Sequence, residues 1–198
     1  MKRRLGARSF VCPMPTVLAG TLVDGRANFT MLGNNGLMRV KPPTTYISIC
    51  RGHYTTKGIL EHGTFSVNYP SVGQMVAADA CGIVSGRDVD KSQLFDVFLG
   101  DLETAPMISE CPANLECEVV HTFSLGGMTV FVGEIREVYV DEGIEGKAAK
   151  PGTFGDLAAL DLLIYAPNNG YYRIGERVGT GFRAGKRSPV VNEGTRSG

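Results

Sequence analysis

The chain has no excess of either charge: its 198 residues carry twenty Lys and Arg against twenty Asp and Glu. Without a net field, neither nucleic acid nor an anionic membrane is expected as its main partner, although a local basic pocket is compatible with overall neutrality. It also lacks an uninterrupted hydrophobic run. Met1-Lys2-Arg3-Arg4 resembles the start of a signal peptide, but Pro13 and Pro15 break the one apolar stretch nearby, so a cytoplasmic protein without membrane association is expected. Five cysteines, none in a Cys-x-x-Cys pair, argue against both a disulfide framework and a metal site, and read as buried thiols in a reducing compartment. Cys111 and Cys117 are poorly placed as metal ligands, and Cys81, at the carboxyl end of its predicted helix, reads as a structural thiol. No internal repeat is present, and no Ser-His-Asp order can be argued for the three histidines.

What the chain does have is turns. Twenty-six glycines and ten prolines separate many short β-type runs, which favours a mostly β fold with a few short helices, and the length suits one domain. Thr16 to Leu22 and Ala27 to Leu32 are read as strands joined at Asp24-Gly25, a tight hairpin signal. Gly33-Asn34-Asn35-Gly36 breaks the second strand and exposes backbone amides and carbonyls. Pro42-Pro43 is expected to impose extended backbone ahead of the next strand.

Ser71-Val72-Gly73-Gln74 fits a capping box opening a helix with an apolar stripe at Val72, Met75 and Val76, ending near Gly82. Residues 85–91 form a charged loop that reads as facing water. Leu115 to Thr122 and Met128 to Val140 are the strongest later strands, joined across residues 124–127, with Glu116, Glu118, Glu134 and Glu137 as solvent-facing positions. Residues 141–156 read as a loop, 157–165 as a short helix running into a strand, 168–170 as a turn and 171–174 as a returning strand. Residues 1–10 and 179–198 read as terminal arms.

The stretch that organises the rest is residues 44–69. Thr45 to Cys50 alternates as a strand should, Thr55 and Thr56 are natural helix N-caps, Ile59 and Leu60 give an apolar stripe, Gly63 supplies a helix end, and Phe65 to Tyr69 is a second strand. Between strand and helix lies Arg51-Gly52-His53-Tyr54-Thr55-Thr56. A guanidinium, an imidazole and hydroxyls at the amino end of a helix form a plausible site for a phosphate dianion, because free amides and the helix dipole attract anions.

Several blocks, in order, carry a family resemblance. They are Asn28 with Met31 three places on; Pro42-Pro43; the strand from Tyr46 to Cys50 ending in Arg51; Tyr54-Thr55; Gly63-x-Phe65-x-Val67-Asn68; Cys81-Gly82; and Ser85-Gly86-Arg87-Asp88-Val89-Asp90-Lys91. Ala105-Pro106, Glu110-Cys111-Pro112, Asn114-Leu115-Glu116-Cys117 and Phe131-x-Gly133-Glu134 follow. With these blocks the chain resembles the flavin reductase-like family with an FMN-binding split β-barrel, its flavoredoxin branch most closely, from about Pro13 to about Gly185. The resemblance implies a Greek-key split β-barrel as a homodimer, with FMN near the subunit interface. Met31, Leu32, Gly33, Asn34 and Asn35 would lie along the isoalloxazine with Asn28 nearby. Arg51, Tyr54, Thr55 and Thr56 would hold the phosphate, with His53 a looser candidate and Lys91 approaching ring or phosphate.

One position departs from the pattern. The family loop corresponding to Gly126-Gly127-Met128 commonly carries a histidine after a glycine on the nicotinamide side of the ring, and here Met128 stands there. No imidazole is available to orient a nicotinamide or assist proton transfer. The expected function is therefore an FMN-binding oxidoreductase whose flavin is reduced either by NADH or NADPH or by a redox protein partner. The alternative is a non-catalytic split barrel that binds another anion or a tetrapyrrole.

Overall fold

The computed structural model describes residues 1–142 and 157–188. The short β1 (Met14–Pro15) leads into β2 (Val17–Val23), β3 (Arg26–Leu32), β4 (Asn35–Arg39) and β5 (Thr44–Cys50). Helix α1 (Tyr54–His62), β6 (Thr64–Tyr69) and helix α2 (Met75–Ile83) follow. Two short strands, β7 (Val97–Phe98) and β8 (Met107–Ile108), precede the long β9 (Ala113–Leu125) and β10 (Met128–Val140); β11 (Leu163–Tyr165) and β12 (Tyr171–Arg173) close the described chain. Seven strands form one antiparallel sheet in the order β3-β2-β6-β9-β10-β5-β4, and β1, β11 and β12 form a second. This is the split-barrel arrangement.

The sequence signals explain most of these elements. Asp24 and Gly25 adopt φ of 50° and 75°, the conformation that an Asp-Gly hairpin turn requires. Gly63 ends α1 at φ 67°, its amide bonded to the Ile59 carbonyl. β2 is buried on both faces: Val17 and Ala19 pack with Leu32, Ile47, Ile59, Phe65 and Phe131 inside the barrel, and Leu18 packs outward with Phe29, Ala78, Cys81, Phe95 and Leu163 beneath α2. Strands covered on both faces lose the polar alternation of a half-exposed sheet.

Several expectations are corrected. Thr55 and Thr56 are not N-caps: His53 holds that position with no side-chain cap bond, and both threonines lie inside the first turn. The Ser71–Gln74 capping box forms, but it opens a 3₁₀ turn, and α2 buries Ala78 and Cys81 while Val76 is 77% exposed. The small residues face the sheet because α2 packs close to β3. Glu116 does not face water; it is fully buried and accepts from the amides of Asp101 and Leu102 and from the Tyr139 hydroxyl. β4 lies in a stretch not read as a strand. Residues 41–43 form a turn rather than extended backbone. Of the cysteines, Cys12 and Cys50 are exposed. Residues 143–156 and 189–198, read as a loop and part of an arm, lie outside the described residues. No described helix is long and apolar enough to cross a membrane.

Candidate functional site

The amino end of α1, the carboxyl end of α2, β3 and the loop 84–91 enclose a cavity of about 250 Å³. Its walls include Asn28, Thr30, His53, Tyr54, Thr55, Gly86, Arg87 and Lys91. Lys91 is 4% exposed, and its Nζ donates to the Cys81 carbonyl at 2.7 Å. Among the described residues no carboxylate pairs with it. Burial lowers its pKa, since a desolvated ammonium lacks the hydration that favours its charged form. Arg87 is tied down by a 3.0 Å bond from its guanidinium to the Gly52 carbonyl and lies 5.4 Å from the Tyr54 ring centre. The Tyr54 hydroxyl donates to Asp24 at 2.6 Å, which ties this wall of the cavity to the β2–β3 turn.

His53 has its pKa lowered first by desolvation and then by the Lys91 and Arg87 charges. Asn28 donates from Nδ2 to Thr55 Oγ1 at 2.8 Å, while its Oδ1 is buried without a partner among the described residues. The cavity thus combines two fixed cations, a histidine whose proton the surroundings disfavour, and the uncapped amino end of a helix with no acidic residue in its first turn. Chemically, these groups suit an anion. Cys81 also borders it, but burial pushes that thiol up to about 11, so it is a poor nucleophile at neutral pH.

A second, wider cavity of about 750 Å³ lies where β3 turns into β4. Met31, Leu32, Gly33, Asn34 and Asn35 form one wall, and Met14, Pro15, Tyr46, Tyr165 and Pro167 form much of the rest. Asn35 donates to the Pro15 carbonyl at 2.9 Å, and the Asn34 carbonyl accepts from the Ser48 amide at 2.9 Å, which fixes the bend against β5. None of its lining residues is charged. Asn28 and Thr30 line the first cavity and Met31 and Leu32 the second, so β3 borders both along its length.

The sequence-predicted residues therefore divide. Asn28, His53, Tyr54, Thr55 and Lys91 gather at the cationic cavity, and Met31 to Asn35 at the neutral one. Thr56 and Arg51 line neither. Thr56 Oγ1 donates to the Cys50 carbonyl at 3.0 Å, and Arg51 is exposed, its amide bonded to the Gly127 carbonyl at 3.0 Å. The residue that sequence reasoning left unassigned is Arg87. Its signal was the charged loop 85–91, read as solvated, which instead closes one side of the cavity.

Residues 8–174 of this chain match the flavin reductase like domain. The chain belongs to the flavin reductase-like family. Within it the flavoredoxin branch is the relevant one. The flavoredoxin of Methanosarcina acetivorans is 41% identical, with a TM-score of 0.87 over 94% of this chain and 98% of that one. The flavoredoxin of Desulfovibrio vulgaris (Miyazaki F) is 33% identical, with a TM-score of 0.85 over 94% of this chain and all of that one. An FMN-binding protein from Thermus thermophilus, solved with 1-cyclohex-2-enone bound, is 27% identical at a TM-score of 0.74, covering 91% of this chain and 97% of that one. Curated relatives extend further: an uncharacterised Archaeoglobus fulgidus protein, 34% identical over 112 residues, is spanned over only 62% of its length. In this flavin reductase-like chain Met128 Sδ lies 3.5 Å from the Cys50 Sγ at the exposed end of β5.

Proposed function

We propose that this chain is an FMN-binding electron-transfer flavoprotein of the flavoredoxin kind. The observation that carries the reading is Lys91, a buried ammonium without a carboxylate, set in a cavity with Arg87, His53 and the amino end of α1. A phosphate dianion suits the charge of this cavity and accepts from α1 amides. Lys91, Arg87, Tyr54 and Thr55 hold the phosphate, with Arg51 closing over it from the turn and Thr56 stiffening that turn through its bond to Cys50. Asn28 Oδ1, buried and unpartnered, is an acceptor for a ligand hydroxyl. The neutral cavity, with its peptide wall from Met31 to Asn35, suits a planar heterocycle that hydrogen-bonds through backbone groups.

Bound FMN supplies reversible uptake of electrons or hydride at its N5. The protein's part is to bind, orient and shield. Tyr46, Tyr165 and Pro167 line the neutral cavity, and Lys91, held near the ligand, favours added negative charge. The absence of an imidazole at Met128 favours electron exchange with a protein over rapid turnover with NADH or NADPH. Exposed apolar residues Leu37, Met38 and Val40 after the bend that forms the neutral cavity, and Val120, Phe123 and Leu125 on the β9–β10 hairpin, support a homodimer that covers them.

The deciding experiment is a flavin spectrum of the purified protein, or of the protein after FMN addition, followed by anaerobic NADH and NADPH titration. A yellow protein that neither nucleotide bleaches within seconds supports the carrier. Absence of flavin and failure to take up FMN would overturn the reading. The double variant Arg51→Ala/Thr55→Ala is expected to weaken FMN binding by about tenfold or more, because charge-assisted phosphate bonds contribute about 1.5–3 kcal/mol each.

A further inference from the structure

The chain is neutral overall, but its charge is not evenly spread. Residues 1–13 contain Lys2, Arg3, Arg4 and Arg8 and no acidic residue, while residues 171–188 contain Arg173, Arg177, Arg183, Lys186 and Arg187 against Glu176. The two stretches, at opposite ends of the chain, hold nine of the twenty basic residues and one of the twenty acidic ones. The fold brings the stretches together. β1 pairs with β11 and β11 with β12, so the segment before β1 and the segment after β12 face each other across a groove of about 750 Å³. Phe10, Ile164, Ala166 and Ile174 give it apolar walls, and Arg8 and Arg173 stand among them.

Both arginines are held in place. Arg8 Nε donates to the Leu5 carbonyl at 2.9 Å, and Arg173 Nε lies 3.3 Å from Asp161 Oδ1 while its side chain stays 65% exposed. The groove also adjoins the neutral cavity, because Ser9, Pro13 and Pro167 line both. A face with an exposed apolar centre, fixed cations at its edge and further cations along both flanking segments has the composition of a docking surface. Its charge is spread too widely for one small diphosphate. A distributed field of one sign instead steers and orients a macromolecule of the opposite sign.

We propose that this groove docks an acidic one-electron redox protein, its carboxylates meeting Arg8, Arg173 and the flanking cations and an apolar side chain seated between Phe10 and Ile174. The proposal rests on the flavoprotein reading above and adds the kind of partner and the place it binds. With FMN held in the site, two reduced partner molecules in succession would each give up one electron, and the cofactor would supply the two-electron acceptor, its protons coming from water.

The test is stopped-flow reduction of the FMN-loaded protein by a reduced acidic plant-type [2Fe–2S] ferredoxin, at low and high ionic strength. The second-order rate constant is expected to fall by about tenfold or more as salt rises, and by about as much in Arg8→Glu/Arg173→Glu at low salt. The FMN content and the rate of reduction by dithionite should stay unchanged. A second variant, Lys2→Ser/Arg3→Ser/Arg4→Ser, removes flanking charge without touching a strand and should reduce the rate and its salt dependence in part. Unchanged rates in both variants would overturn the proposal. So would equally fast exchange with a basic c-type cytochrome, a raised KM for NADH in place of a slowed ferredoxin reaction, or variants that alter the oligomer on gel filtration without altering the rate. Failure to bind FMN at all would instead remove the flavoprotein reading, which separates the two.

Discussion

Lys91 Nζ donates to the Cys81 carbonyl across 2.7 Å, so the last turn of α2 partly neutralises a cation that no carboxylate meets among the described residues. A buried ammonium with one carbonyl partner costs stability unless a ligand completes its shell. Lys91→Met keeps the aliphatic stem and removes the charge. Its ligand-free form is expected to melt at a higher temperature than the parent, while FMN affinity falls by about tenfold or more. Thermal melts with and without FMN check both signs. A lower melting temperature for the ligand-free variant, with unchanged FMN affinity, would count against the assigned role.

Gly86 has its place because a Cβ there would lie 1.9 Å from Asn28 Oδ1 and 3.0 Å from the Tyr54 ring. Gly86→Ala must push Asn28 or the loop away from the cavity. Weakened FMN binding with little loss of stability is the expected result, since the loop can yield outward into solvent. Flavin fluorescence titration alongside urea unfolding separates the two effects.

His53 has its pKa lowered by desolvation and by the Lys91 and Arg87 charges. Between that lowered value and the ordinary value of about 6.5 the unfolded chain binds more protons, so this residue's contribution makes the ligand-free protein more stable as pH rises through the window. A phosphate dianion pulls the other way: it favours the imidazolium, so binding takes up a proton and His53 strengthens FMN affinity as pH falls. His53→Asn should flatten both trends. Calorimetric titration in buffers of different ionisation enthalpy counts the proton, and equal uptake by parent and variant would exclude His53 as its source.

Arg87 and Arg51 differ in preparation for binding. Arg87 is already fixed against Gly52 and Tyr54, whereas the Arg51 guanidinium makes no hydrogen bond or ion pair among the described residues. A pre-ordered side chain loses less entropy on meeting its ligand. Arg87→Ala is therefore expected to weaken FMN binding more than Arg51→Ala does. Paired dissociation constants from equilibrium titration decide it.

Much of this was legible in the chain because local signals and tertiary demand agree. Asp24-Gly25, Gly63, the alternation of Thr45 to Cys50 and the Ser71–Gln74 box each set backbone geometry within a few residues, and each forms. The failures share a cause: they depend on what lies across space. Glu116 looks like any strand glutamate until the amides of Asp101 and Leu102 and the Tyr139 hydroxyl surround it. Val76 reads as core until Ala78 and Cys81 show that α2 needs its small face inward. Lys91 and Arg87 share one charged loop, and only packing against α1 and β3 separates a cavity cation from a solvated one. Tyr171, a plain strand residue in sequence, reaches Asp79 at 2.6 Å and Met31 at 3.2 Å, linking β12 to the wall of the neutral cavity.

The bond between the Arg51 amide and the Gly127 carbonyl makes the tip of the β9–β10 hairpin a lever on the turn that opens α1. Within the protomer nothing lies within 4 Å of a Cβ built on Gly126 or Gly127, so a side chain fits at position 127. Because the tip is tethered to the turn holding His53, a dye attached at position 127 is expected to change its fluorescence when FMN binds.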